Sequence, residues 1–442
     1  MHLSSAPAVR RWRHLAAVVG TAVLVAALPG CRVGEERAAG RTTPATSARE
    51  HELPAPPARI RDTGASTGLP AYDGPPEDGP PSAGPLGTVL AAVDLTAVAP
   101  GDFSRVEAAV AAPDGTVHVV LSPVNSSRPP RLGTVSHGQV TGSVELSRVD
   151  DVWGMHQLPD GTVAVSGALR STDGRREGYG TAVVDPETGS ARITVLVAYT
   201  GKTRFSFGRS ALSPDGRTLF FFVSTVTAAG SQERLFAMEP ANGDVPFGID
   251  LAADIAAASA APAGHELAGL VPLLDGGVTL VLDASPDVTR PERIPTLLTY
   301  DVLLQRVGDP VRVTSLSERA QTQAVAAGAD GTTFLVVSVG DGAWVLAVPP
   351  RGGAGPVLVQ LDDHFYDYAL VVEPAQVWGL LPAPDGARAV DLTTGELSDQ
   401  IDVGCPGQDV RGMFPGAGAT ALLVGECNAP RTRTQMLWIL GP

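Results

Sequence analysis

Lysine is almost missing from this chain of 442 residues. It occurs once, at Lys202, so arginine carries nearly all the positive charge. Positive charge is itself scarce: 32 basic residues stand against 47 acidic ones, and the formal net charge is −15. A surface of that sign repels phosphate backbones and anionic headgroups, which excludes binding nucleic acid or a membrane through bulk electrostatics. Cysteine is limited to Cys31, Cys405 and Cys427, with no CxxC pair, so the usual zinc frameworks are missing. Neither a GxSxG nucleophile elbow nor a GxxxxGK[ST] phosphate loop occurs. His265-Glu266-Leu267-Ala268-Gly269 opens like the HExxH of zinc proteases, but Gly269 stands where the second histidine must bind metal. No catalytic set, no metal site and no cofactor are therefore expected. Helical periodicity is lacking too, because the apolar runs are short and often punctuated.

What is present begins with the first 31 residues. Arg10, Arg11 and Arg13 form a basic n-region, followed by an apolar run from Leu15 to Leu28 that is short for a permanent membrane span. The run ends Leu28-Pro29-Gly30-Cys31, which resembles the bacterial lipoprotein signal, although Pro29 replaces the more usual Ala or Ser. The resemblance implies a signal peptide over 1–30 and a diacylglycerol on Cys31. It also implies a chain held at the extracytoplasmic face of the cell membrane by its lipid. An ordinary cleaved signal peptide is the alternative, and Arg10-Arg11 leaves Sec and twin-arginine export both open. The lysine-poor, Ala/Val/Gly/Arg-rich composition is similar to that of high-GC actinobacteria. If Cys31 is lipidated, Cys405 and Cys427 remain as an even pair in an oxidising setting, and a disulfide between them is expected.

Residues 31–85 then read as a tether, with Gly74-Pro75-Pro76 and Gly79-Pro80-Pro81 typical of its texture. Such a segment has too few apolar residues to offset its ordering entropy, and a disordered, partly proline-stiffened linker is expected.

From residue 86 a repeat appears. Pro113-Asp114-Gly115-Thr116-Val117 recurs as Pro159-Asp160-Gly161-Thr162-Val163 and as Pro214-Asp215-Gly216-Arg217-Thr218, with looser copies at Asp275-Gly276 and Asp330-Gly331. Asp-Gly between β-branched runs marks a hairpin, since glycine accepts the positive φ of the turn. A second turn class alternates with it, as in Asp185-Pro186-Glu187-Thr188-Gly189 and Asp391-Leu392-Thr393-Thr394-Gly395. Two hairpins in about 50 residues make a four-stranded antiparallel blade of a β-propeller. A small residue stands six places before the aspartate in four units, as Ala108, Gly154, Gly269 and Ala324; Arg209 is the exception. Small side chains suit inner strands that crowd around an axis.

Ser213-Pro214-Asp215-Gly216-Arg217-Thr218-Leu219 is similar to the repeat of TolB-type and YVTN-type bacterial propellers. The resemblance implies a fold and not an activity. Residues 86–442 are expected to be all-β, a seven-bladed propeller, with six and eight blades as the neighbouring counts. The last unit supplies only three strands. Thr88 to Leu95 is a spare apolar segment, expected to close the ring beside Met436 to Leu440 and so to remove an open sheet edge.

The Asp-Gly and Thr-Gly turns share one face, leaving blade-to-blade connections and second-to-third-strand loops on the other. That other face collects Asp102, Asp150, Asp151, Arg204, His265, Glu266, Arg319 and Asp409. It also carries the densest run of acids, aromatics and histidine, from Asp362 to Tyr368. Asp363, His364, Tyr366 and Asp367 are the candidate ligand-binding residues of that run, since aromatic faces beside carboxylates suit a sugar, a peptide or a cation. The alternative is that the tyrosines pack and the acids are solvated. His156, on an inner strand near Trp153, is a further candidate. The expected function is a non-enzymatic, lipid-anchored propeller that binds an envelope protein or glycan. An extracytoplasmic hydrolase or lactonase with its site at the channel mouth is the alternative.

Overall fold

The computed structural model describes residues 49–51 and 86–441, apart from 101–103, 125–127, 204, 229, 260–264, 286–292, 314–319, 329–330, 340–341, 350–356, 362–369, 373–377, 384–385, 393, 406–408 and 430–431. Cys31 and the candidates Asp363, His364, Tyr366 and Asp367 lie outside the described residues.

Seven antiparallel blades form the propeller. Blade 1 runs through Ser104–Ala111, Val117–Pro123, Arg131–Ser136 and Gln139–Glu145. Blade 2 follows with Val149–Gln157, Val163–Arg170, Arg176–Val184 and Ala191–Ala198. Blade 3 contains Phe205–Leu212, Leu219–Thr227, Gly230–Glu239 and Asp244–Asp250. Blade 4 has His265–Pro272, Val278–Ala284, Ile294–Tyr300 and the short Val311–Arg312; blade 5 has Ala320–Ala327, Thr333–Val339, Gly342–Val348 and Val357–Leu361. Blade 6 contributes Val371–Val372, Trp378–Ala383 and Gly386–Asp391. At its fourth position the chain bridges the third strand only at Leu397 and Ile401. The Ser398 hydroxyl accepts the Ala389 N–H at 2.9 Å, and so occupies a donor that a regular ladder would pair with backbone.

Blade 7 shows how the ring closes. Asp409–Pro415, Ala421–Ala429 and Thr432–Gly441 are completed on the outside by Thr88–Asp94. Thr88 pairs with Gly441 and Asp94 with Met436, as the strand count requires. Leu86, just before this strand, is fully buried. Within the stretch read as a tether, Arg49–His51 forms a short strand along Ala191–Ile193 at the outer edge of blade 2.

The turns form for a local reason. Gly115, Gly161, Gly216, Gly276 and Gly331 have φ between 71° and 87°, where a Cβ would be strained. The preceding aspartates lock the turns: Asp114 Oδ1 accepts the Thr116 N–H at 2.9 Å, and Asp160 accepts that of Thr162 at 3.0 Å. Those oxygens are engaged by the turns' own backbones.

Nearly continuous apolar strands, such as the fully buried Val278–Ala284, bury both sheet faces between neighbouring blades. Each buried Val, Leu or Ile is worth about 1.5–3 kcal/mol relative to exposure. At the closing seam Val93 and Leu437 pack with Val119 and Leu121 of blade 1. The seam between blades 2 and 3 is split. One apolar cluster holds Leu158, Leu219 and Met238; a second holds Tyr179, Phe221 and Val223 with Trp153 against it. Inner strands approach closely, which explains the small residues. A Cβ on Gly154 would overlap Ser210 Oγ, and one on Gly269 would overlap Val325.

Among the described residues the all-β expectation is departed from by a 3-10 turn at Leu95–Ala97 and by an α-helix at Ala252–Ala258 between blades 3 and 4. Five of its seven residues are alanine, the strongest helix former, and Asp250 Oδ1 accepts the Ala252 N–H at 2.9 Å at its start. Ile255 and Ala258 turn inward onto Phe220, Leu251 and Leu282. Asp254 faces out, accepting from Tyr300 Oη at 2.8 Å and from Arg306 at 3.0 Å.

Cys405 follows the outer segment of blade 6 and Cys427 lies within the second strand of blade 7. Their Cα atoms are 5.8 Å apart in a disulfide that ties the last two blades together.

Candidate functional site

The loop-bearing face holds charged groups that pair across strands and blades. Asp150 receives both Arg170, through Nε at 2.8 Å, and Arg176, through Nη2 at 2.6 Å. Burial alone would raise its pKa; hydrogen bonds and charge from the two guanidiniums outweigh that and hold it below the usual carboxylate range. Arg148, nearly buried, donates to Glu177 at 2.7 Å and to the Arg170 carbonyl at 2.6 Å. Trp153 donates to Asp151 at 3.0 Å and stacks on Tyr179 at 5.4 Å and Phe221 at 6.0 Å. Glu266 binds Arg293 at 2.6 Å, and Asp409 binds Arg411 at 3.0 Å. Of the acids expected here, then, Asp150, Glu266 and Asp409 are engaged by arginine. Asp102, Arg204 and Arg319 lie outside the described residues.

His156 sits between blades 2 and 3, with Nε2 2.9 Å from Ser210 Oγ. Burial lowers its pKa to about 4, partly opposed by Ser210, so the ring is neutral at physiological pH. His118 is buried within blade 1, its Nδ1 3.3 Å from Thr134 Oγ1, and burial likewise lowers its pKa to about 4.

A concave feature of this face lies between blades 3 and 4. A cleft of about 660 Å³ is floored by Phe207, Phe222 and Leu267, and the helix forms one wall through Ile255 and Ala256. The two phenyl rings lie 5.9 Å apart, tilted by 39°. Polar groups converge at one side. Glu233 Oε1 accepts from Ser224 Oγ at 3.2 Å and lies 3.6 Å from His265 Nε2. Glu233 and His265 have side chains only 9% and 10% exposed, yet both border the cleft. Burial would raise the Glu233 pKa, but His265, Ser231 and Ser224 together keep it below the ordinary value, so it is ionised at neutral pH. His265 Nδ1 is buried without a hydrogen-bond partner among the described residues.

The geometry defines what the cleft can do chemically. Ser224 donates to the carboxylate and not to the imidazole, so Ser224, Glu233 and His265 do not form the relay in which a histidine activates a serine. They form an ionised carboxylate held by a histidine and a serine beside aromatic walls. Among the described residues no group of three His, Cys, Asp or Glu side chains is placed to hold a metal ion. Of the HExxH-like segment, only His265 and Leu267 border the cleft; Glu266 turns to Arg293.

Sequence reasoning placed His265 on this face but missed Glu233. The signal was strand parity: Glu233 lies two and four residues before Leu235 and Ala237, which are both buried, so it shares their inward face.

No family model matches the sequence, and no curated protein matches it. Solved structures do resemble the fold. A puromycin hydrolase aligns at 16% identity with a TM-score of 0.51, covering 80% of this chain and 55% of that one. An oligogalacturonate lyase in complex with manganese aligns at 11% identity with a TM-score of 0.50, covering 74% of this chain and 86% of the lyase. The chain thus spans little more than half the length of the hydrolase. At these identities the likeness establishes the seven-bladed propeller and nothing about chemistry.

Proposed function

We propose that this chain is a non-enzymatic binding propeller that engages a protein or cell-envelope ligand through its loop-bearing face. It would stand on the 31–85 tether, held by a lipid on Cys31 at the extracytoplasmic side of the cell membrane. The observation that carries the binding role is the cleft between blades 3 and 4. It is apolar in body, of the size common for ligand sites, with a few converging polar groups. Anchoring rests on the signal-like first 31 residues.

The test joins two measurements. Crosslinking in intact envelopes should capture a partner or glycan, and Ala256→Trp, which fills the cleft from an exposed position of the helix, should abolish capture while leaving the melting temperature nearly unchanged. Capture that is indifferent to Ala256→Trp would reject the cleft as the binding site. Mass analysis of membrane-extracted protein should find an acylated Cys31 at the N-terminus, and Cys31→Ala should release the protein from the membrane or leave it uncleaved. A mature chain starting elsewhere without lipid would overturn the anchoring.

A second reading has its own observation. The Glu233–His265 pair in an apolar cleft is an acid–base couple, and the two neighbouring folds are a hydrolase and a lyase. Turnover of ester or lactone substrates that is lost in Glu233→Gln would favour this enzymatic alternative.

A further inference from the structure

Glu233 stands apart from other acids of the loop-bearing face. Asp150, Glu266 and Asp409 each accept hydrogen bonds from an arginine. Glu233 has neither arginine nor lysine against it among the described residues. Its donors Ser224 and Ser231 are neutral. His265 Nε2 lies 3.6 Å from Oε1, beyond a good hydrogen bond, and the charge of a histidine is conditional on protonation. Among the described residues that border the cleft, Glu233 and His265 alone can carry a charge. The cleft thus holds one ionised carboxylate with no permanent positive partner. A buried charge of that kind gains from a cation that a ligand brings to it.

The register sets that carboxylate beside the aromatic floor. Phe207 pairs with Ser224, and Ser224 with Glu233, on three successive strands of blade 3. Directly opposed residues share a sheet face, and Phe222, two residues before Ser224, returns to it. All four border the same cleft, whose remaining walls include Leu267 and the helix. One small molecule can therefore meet the carboxylate and a phenyl ring together.

Charge then sorts the ligand classes. An anion would face Glu233 with neither arginine nor lysine to receive it, in a chain whose net charge is −15. A neutral apolar compound would fill the cleft and leave the carboxylate as it was. A protonated amine brings a positive charge and N–H donors at once, and such charge-assisted hydrogen bonds are about twice as strong as neutral ones. Aromatic ring faces add attraction for the same cation.

We infer that the cleft takes a protonated amine on an apolar body, its ammonium bound by Glu233 and its apolar part lying on Phe207 and Phe222. This rests on the cleft being a ligand site and adds the chemical class of the ligand.

The experiment is calorimetric titration at neutral pH with phenethylamine, the neutral phenethyl alcohol and the anionic hydrocinnamate. Wild type should bind the amine saturably, about tenfold tighter than the alcohol, and the acid most weakly. Glu233→Gln should bring amine and alcohol within about twofold of each other, and Ala256→Trp should abolish binding of every probe. Phe-Gly-Gly amide presents the same ammonium and ring at a peptide end. Binding as tight as that of phenethylamine would assign the ammonium to a peptide N-terminus, and weaker binding to a free small amine; both sustain the inference. Equal affinity for amine, alcohol and acid, no binding of the amine, or an amine preference that Glu233→Gln leaves unchanged would overturn it. The wild-type series decides this even if Glu233→Gln fails to fold. Equal binding of the three that Ala256→Trp abolishes would keep the cleft as a ligand site and reject only the charge assignment. If no probe binds wild type and Ala256→Trp leaves envelope capture intact, both readings are rejected.

Discussion

At the turn-bearing end of the propeller, Asp114, Asp160, Asp215 and Asp275 each bind a backbone N–H two residues further on. At the loop-bearing end several acids reach much further, although Asp409 pairs with Arg411 only two residues on. Asp150 binds arginines 20 and 26 residues away, Glu233 meets a histidine on the next blade, and Asp283 crosses from blade 4 to Thr322 of blade 5. The same residue type shapes the chain locally at one end and joins distant strands at the other. Local aspartates set where a blade turns; distant ones set how blades meet and leave room for a ligand.

The sharpest way to break this comparison is to remove a long-range element outright. Deleting residues 86–96 takes the outer strand from blade 7 and part of the seam with blade 1, and the cooperative melting transition should be lost or lowered by more than about 10 °C. Deleting residues 52–75 should leave the transition nearly where it was, measured by calorimetry on both proteins. Next in size is Cys405→Ser with Cys427→Ser. Opening this loop should cost about 3 kcal/mol in denaturant titration, and adding reductant to wild type should reproduce the loss.

Asp283 gives a signed, pH-dependent test. It accepts the Thr322 N–H at 2.8 Å and hydroxyl at 2.7 Å, and burial raises its pKa from 3.8 to about 6 despite those bonds. A carboxyl group with a raised folded-state pKa contributes stability below about pH 4 that is lost as the pH rises through about 6. Wild type should therefore be more stable at pH 5 than at pH 7.5, by about 1–1.5 kcal/mol for this group. Asp283→Asn should flatten that part of the pH profile, and an unchanged slope would remove Asp283 as its source. The smallest effect belongs to the turns. Asp160→Ala should cost about 1 kcal/mol or less in denaturant titration.

This contrast also explains what could be read from the sequence. Asp-Gly turns depend on residues two apart, so Asp114-Gly115 and its copies located the blades and their inner strands. Ring closure was legible from a strand count, because Thr88 to Leu95 had no other place. The meeting of Glu233 with His265, or of Asp283 with Thr322, depends on register and on how adjacent blades pack. In Val278–Ala284 every position is buried, so parity gives no hint that Asp283 differs from its neighbours. The helix at Ala252–Ala258 was missed because two alanine-rich turns lack the long periodicity that identifies a helix. Arg209 did stand out, as a large residue at a place reserved for small ones.

The pairing of Thr88 with Gly441 sets an order in time. The strand that completes blade 7 is made before blades 1 to 6, and its partner only after them. Loop-closure entropy grows only slowly with length, so the wait and not the distance is the burden. Hairpins of the first six blades need only neighbours in sequence and can form as the chain emerges, whereas the final sheet depends on the most non-local contact in the molecule and should form late. Until it does, Thr88–Asp94 is an unpaired strand, open to proteases and to other chains. A chain that stops short of residue 432 should be degraded or aggregate, however well its earlier blades are formed.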